Sequence, residues 1–323
     1  MTTLGLAALA DALGGVAGSL AGVALLPLVQ QVAGDIAGQR DAALAELDTT
    51  TDDEGLFGPG SMTWVIHGDP ASAVGGLRAL LLQAMHPEAM DGFTAVSNFR
   101  DDTWGRLFRT GAYVATMAFG TRDEAARMGQ HVQRVHAKLG VDRPDLLRWV
   151  HVTLVDSYVG VYQRAGGELT EEQIDQYWSE QTRAAELVGL DRFDVPATAA
   201  EGREYLWGMR AVLEATPQAR DAVRFILAPP MPNQVALLTP AIPAWAALAA
   251  LAFETLPSWA RHDLAGTRLA PVLAALERVP LHEYRTTLAL RGVASAFRAL
   301  PQELRIGPVM LAAYRRLGLA DPQ

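Results

Sequence analysis

Seven histidines and no cysteine set the ligating chemistry open to this 323-residue chain. They are His67, His86, His131, His136, His151, His262 and His282. Without thiols there is no disulfide, no thiolate nucleophile and no sulfur-built zinc site. Imidazole is then the best soft-metal ligand available. The sequence holds no HExxH pair, EF-hand loop or paired Glu-x-x-His helices, and neither a phosphate-binding glycine loop nor a GxSxG elbow.

Two neighbouring segments concentrate the polar side chains that could do chemistry. The first carries Arg106, Arg109 and Thr110 amid Leu107, Phe108 and Tyr113. Spacing of i, i+3 and i+4 puts the two guanidiniums and the hydroxyl on one helix face, an arrangement suited to an apolar pocket with polar donors. The second carries His131 and His136. His136 shares its face with Val132, Val135 and Leu139 and is expected to point inward. His131 lies about 140° around the helix, so the two cannot easily share one metal. His151, in WVHVTLVDS, sits on the next apolar helix. Each residue also has a plainer reading. The arginines can be surface cations or ion-pair partners. His136 can be a hydrogen-bonded core residue, and His151 can pair with an acid such as Asp156.

The elements that must position these residues read as helices. The predicted segments are Gly76 to Met90 (stopped near Pro87), Thr103 to Phe119, Arg122 to Leu139 and Asp145 to Gln163. Thr170 to Leu187, Thr198 to Glu214, Pro217 to Leu227, Ala241 to Phe253, Ala260 to Glu277 and Thr286 to Leu300 follow. Gly140 is a helix stop, and Thr170 with Gln173 makes a capping box. Only Thr63 to His67, TWVIH, alternates like a strand. The prediction is an all-α fold, a single compact multi-helix domain over residues 49–323, preceded by an N-terminal helical arm over 1–48. Thr49 to Ser61, polar and rich in Gly and Pro, is the loop between them.

Half of the residues are hydrophobic but only 7% are aromatic, so the apolar content is mostly Ala and Leu, strong helix formers. A formal net charge of −9 gives no electrostatic reason to bind nucleic acid. Ala12 to Gly34 carries no charge. Its glycines, Pro27, Gln30 and Gln31 argue against a membrane span, and no Lys or Arg precedes it as in a signal peptide. A cytoplasmic protein is therefore expected, with a homodimer built on the Ala- and Leu-rich termini as one possible assembly.

Six segments, in order, carry a resemblance: GPGSMTWVIHGDP, GGLRALLLQAMHP, RLFRTGAYVATMAFGT, QRVHAKLG, LLRWVHVTLVDSY and LTEEQIDQYWSE. Together they resemble the oxygenase MpaB and rubber oxygenase (latex clearing protein) superfamily over roughly residues 58 to 190. The resemblance implies one haem b enclosed between helices, with His136 as the proximal iron ligand. Arg106, Arg109 and Thr110 then fall on the other side of the haem, and His86 and His151 are further cofactor-lining candidates. The family's pattern there is Arg-x-x-Lys-Thr. Here Arg109 replaces the lysine, and a guanidinium has no lone pair to give iron. The sixth position is thus expected to be open or water-bound, with Arg106 or Arg109 polarising oxygen or pairing a haem propionate. An upstream glutamate base has no clear counterpart; Met90 stands at the offset and Asp91 is the nearest acid. The implied function is a haem-dependent oxygenase or peroxygenase using dioxygen or peroxide on a small or medium apolar substrate. Three alternatives stay open: a haem sensor without turnover, oxidative dehydrogenation or rearrangement without oxygen incorporation, and a metal-free apolar-ligand or scaffold protein.

Overall fold

The computed structural model describes residues 38–39, 41–96, 103–231, 241–277, 282–298 and 302–320. The helices, in order, are α1 (Met62–His67), α2 (Ser72–Gln83), α3 (Pro87–Val96), α4 (Thr103–Phe119), α5 (Arg122–Leu139), α6 (Pro144–Arg164) and α7 (Glu171–Leu187). After them come α8 (Ala199–Met209), α9 (Pro217–Leu227), α10 (Ala241–Glu254), α11 (Ser258–Glu277), α12 (His282–Arg298), α13 (Gln302–Arg305) and α14 (Pro308–Arg316). No strand occurs among the described residues, so the all-α expectation holds.

The centre of the fold is α6 packed along α2. Eleven α6 residues are buried, spread around its circumference from Leu146 to Val161. A helix apolar on all sides must be enclosed. Gly75 permits the close approach: a Cβ there would lie 3.2 Å from the Tyr158 Cα. Around this pair, α10 covers α2, while α1, α7 and α8 cover α6. The largest apolar cluster joins Val74, Leu77, Leu81 and Met85 to Trp149, Leu256 and Leu290. Through this interior runs Arg78, 7% exposed. It donates to Asp156 Oδ2 at 2.8 Å, Ser157 Oγ at 2.7 Å and the Thr255 carbonyl at 3.1 Å. A buried guanidinium must be saturated in this way, because it cannot shed its charge and desolvating it unpaired is costly.

The helices bearing the candidate residues are well delimited. α5 begins at a capping box in which Thr121 Oγ1 accepts from the Glu124 amide and Glu124 accepts from the Thr121 amide. It ends at Gly140, whose φ of +66° gives the left-handed turn a helix stop needs. α5 also lies close on α7. A Cβ at Gly129 would come within 2.4 Å of the Leu187 carbonyl oxygen.

Three expectations are corrected. TWVIH is helical, not a strand: the Ser61 hydroxyl accepts from the Trp64 amide, and the α7 carboxylate of Glu180 accepts from the Met62 and Thr63 amides. The helix expected over Gly76 to Met90 is two, because the chain turns at residues 84–86, and α3 continues through Asp91-Gly92 to Val96. The helix expected to reach Glu214 ends at Met209. α13 and α14 went unpredicted, and α14 packs on α4. Leu44 and Leu47 join Ile306 and Leu311 in a small cluster at the same end. Among the described residues no helix is long and apolar enough to cross a membrane; Ala12 to Gly34 lies outside them.

Candidate functional site

The candidate site is built on α4 and α5, which pack together and are joined by a short turn at Gly120 and Thr121. Its floor is apolar. Tyr113 of α4 and Val132 of α5 pack on Leu147, Ala185, Val188, Leu190 and Val195. Arg109 and Thr110 stand about one turn before Tyr113, and His136 about one turn after Val132.

His136 is half-buried, and its Nδ1 is covered yet has no hydrogen-bond partner. Burial lowers its pKa first; Asp142 pushes the other way, and the charge of Arg106 lowers it further. The ring is therefore neutral at physiological pH, which is the form that binds a metal. Arg106 is also half-buried. Burial, and then the like charge of Arg109, pull its guanidinium down to about 10. Tyr113 is pushed up to about 12 by burial, so its phenol stays protonated. The charge of Arg109 thus acts on Arg106, and that of Arg106 on the His136 ring.

The three α4 residues are not equally inside. Arg106 and Thr110 are half-buried, whereas Arg109 is exposed. The apolar surroundings are open as well: Phe108 is 70% exposed and Val135 39%. His131 is exposed on the other side of α5. Asp91 is exposed on α3, and Met90 is buried in the core.

His151 and His86 stand on other elements, α6 and the turn before α3. His151 is 9% exposed on α6, and burial pushes it down to about 4. Its Nε2 is covered and unpartnered. The suggested pairing with Asp156 does not occur, because Asp156 is held by Arg78. His86 precedes Pro87, and its Nδ1 accepts from the Ala89 amide at 3.4 Å, an N-cap for α3. Its ring stands 6.2 Å from that of Trp149. Among the described residues no hydrogen bond or ring contact joins His86 or His151 to His136, and no three His, Asp or Glu side chains form a metal-binding group.

A model of the catalytic domain of the ER-bound oxygenase mpaB/B' and rubber oxygenase matches residues 64–295, well over half of the chain. The chain belongs to this family. The match extends the resemblance past residue 190, through α8 to most of α12, and brings both α4 and α5 inside an oxygenase catalytic domain. Neither a curated protein nor a solved structure matches.

One buried constellation in this oxygenase-family fold escaped the sequence reading. His67 stacks on Tyr158 at 4.3 Å between centroids, and its Nε2 is hydrogen-bonded to Tyr177 Oη at 2.9 Å. The partners come from α1, α6 and α7, so no local spacing could have signalled them.

Proposed function

We infer that the chain is a haem-b-dependent oxidoreductase of oxygenase type, acting on a small or medium apolar substrate, with His136 as proximal ligand. The observation that carries this reading is the half-buried, neutral imidazole beside a half-buried guanidinium, inside a matched oxygenase domain. These residues fit the group. Among the described residues the His136 Nδ1 has no hydrogen bond to give up, and neutral imidazole needs no proton removed before it binds iron. His86 and His151 stay as cofactor-lining candidates on the α3 and α6 sides.

When bound, haem b supplies the oxygen chemistry that no side chain of this protein can perform. The chain's own residues bind, orient and exclude water. Arg106, charged in an apolar setting, would hold an anionic group such as a propionate or a developing negative charge. Thr110 offers a hydroxyl on the same face, and Arg109 adds a second cation at the mouth. Tyr113 keeps its proton and closes the floor with Val132. Phe108 and Val135 give an apolar substrate surface to lie against.

Oxygen uptake with apolar candidate substrates tests the reading. Arg106→Gln should retain haem and lose most uptake. Unchanged uptake would remove Arg106 from the site. Isotope-labelled dioxygen separates incorporation into product from dehydrogenation.

A further inference from the structure

His67, Tyr158 and Tyr177 join α1, α6 and α7 in the interior. Tyr177 is fully buried, and Tyr158 is 8% exposed. The Tyr158 ring lies nearly parallel to the His67 imidazole, with 12° between their planes. The His67 Nδ1 is covered and has no hydrogen-bond partner among the described residues. Burial pulls this histidine down to about 3, so the ring is neutral and carries one N–H. Counting unmet groups gives the tautomer. With the proton on Nε2, the Tyr177 hydroxyl hydrogen and Nδ1 would both lack a partner; with it on Nδ1, only Nδ1 does. Tyr177 therefore donates to Nε2, across 2.9 Å.

We propose that Tyr177 is a redox-active tyrosine, giving one electron to a strong one-electron oxidant while its phenolic proton passes to His67 Nε2. The products are a neutral tyrosyl radical and an imidazolium. Return of the electron and the proton restores the pair. Burial holds the Tyr177 phenol well above its ordinary pKa, so no phenolate forms first and oxidation must expel a proton. His67 Nε2 stands at hydrogen-bond distance to take it. A phenol radical cation is a far stronger acid than an imidazolium, so the transfer runs downhill even to a ring whose basicity burial has reduced. The Tyr158 face, 4.3 Å from the imidazole centroid, then lies against the cation that forms.

Position gives the pair a use. Ala185, at the floor of the candidate site, is eight residues along α7 from Tyr177, about 12 Å of helix. On the other side, Trp64 stands one turn before His67 on α1 and stacks on Tyr314 of α14 at 5.5 Å. Tyr314 is half-buried, so the aromatic series reaches towards the surface. In an oxygenase such a path drains oxidising equivalents that miss the substrate. That use rests on the oxygenase reading; the proton-coupled step does not.

The full chain without added haem tests the step. Tris(bipyridyl)ruthenium(III), generated by a flash in the presence of persulfate, is the oxidant. Ascorbate added after the flash removes radicals at exposed tyrosines such as Tyr284. Electron paramagnetic resonance of frozen samples should show a persistent tyrosyl radical, and Tyr177→Phe should lose it. Electron–nuclear double resonance should give that radical a coupling to one exchangeable proton. His67→Phe, which keeps a ring to stack on Tyr158, should remove the coupling and most of the radical with unchanged circular dichroism. Fluorotyrosine placed at position 177 keeps the hydroxyl and the packing, and should add a fluorine splitting to the signal. No persistent radical, a radical without the fluorine splitting, or one undiminished in folded His67→Phe would each overturn the proposal.

Discussion

Replacing His151 by leucine isolates the electrostatic cost of a dry histidine at the centre of the fold. In the native chain burial lowers this ring from 6.5 to about 4. Unfolding returns it to water and to 6.5, so between these values the unfolded chain binds more protons than the folded one. Stability from the neutral ring is then complete above pH 6.5 and is lost on acidification down to about pH 4. The slope is about 1.4 kcal/mol per pH unit, so His151 alone costs about 2 kcal/mol between pH 6.5 and about pH 5. His67, pushed down to about 3 by its own burial, adds a similar loss in the same direction. His86 and His136, lowered less, add in the same sense. The carboxylates that are lowered, among them Asp53, Asp145 and Glu277, act below this window. Urea unfolding without added haem, at both pH values, measures the effect. His151→Leu should lose about 2 kcal/mol less than the native chain on acidification. Equal losses would mean that the ring titrates as in water, and the packing assigned to α6 would be wrong.

Other perturbations probe the frame and the site. Arg78→Met leaves the Asp156 carboxylate and the Thr255 carbonyl without their donor and should cost about 3 kcal/mol in urea unfolding; a loss below about 1 kcal/mol would contradict the network. Gly129→Ala drives a methyl against the Leu187 carbonyl oxygen and should destabilise by about 1–3 kcal/mol, read as a lower melting temperature. Arg106→Gln removes one cause of the lowered His136 pKa, so the ring's NMR titration in haem-free protein should move up towards 6.5, while the part due to burial remains. A titration unmoved by the change would separate the two residues.

Local signals in the sequence were enough to delimit the site helices. α4, α5 and α9 begin and end at the predicted residues, because a threonine cap, a glycine stop or a proline start marks their ends. Periodicity alone sets His136 and His131 apart around α5, one half-buried and the other exposed, but Val135, expected on the inward face with His136, is exposed. What needs partners far along the chain was not legible. TWVIH alternates like a strand, yet Glu180, more than a hundred residues away, caps it as a helix. Asp156 looked available to His151 until Arg78, brought in by α2, took it. Helical spacing put Arg109 with Arg106, but only the packing of α4 leaves Arg109 exposed and Arg106 half-buried. Helix order says nothing of that difference.

His136 is proposed to hold the haem. Purified protein and its His136→Ala variant, each titrated with haemin and followed by absorption in the Soret region, test it most directly. The native chain should saturate at one haem with a histidine-ligated spectrum, and the variant should fail to reach it while keeping its helical circular dichroism. An identical spectrum and affinity in the variant would assign the ligand to another residue, and no Soret band in either protein would contradict the haem reading altogether.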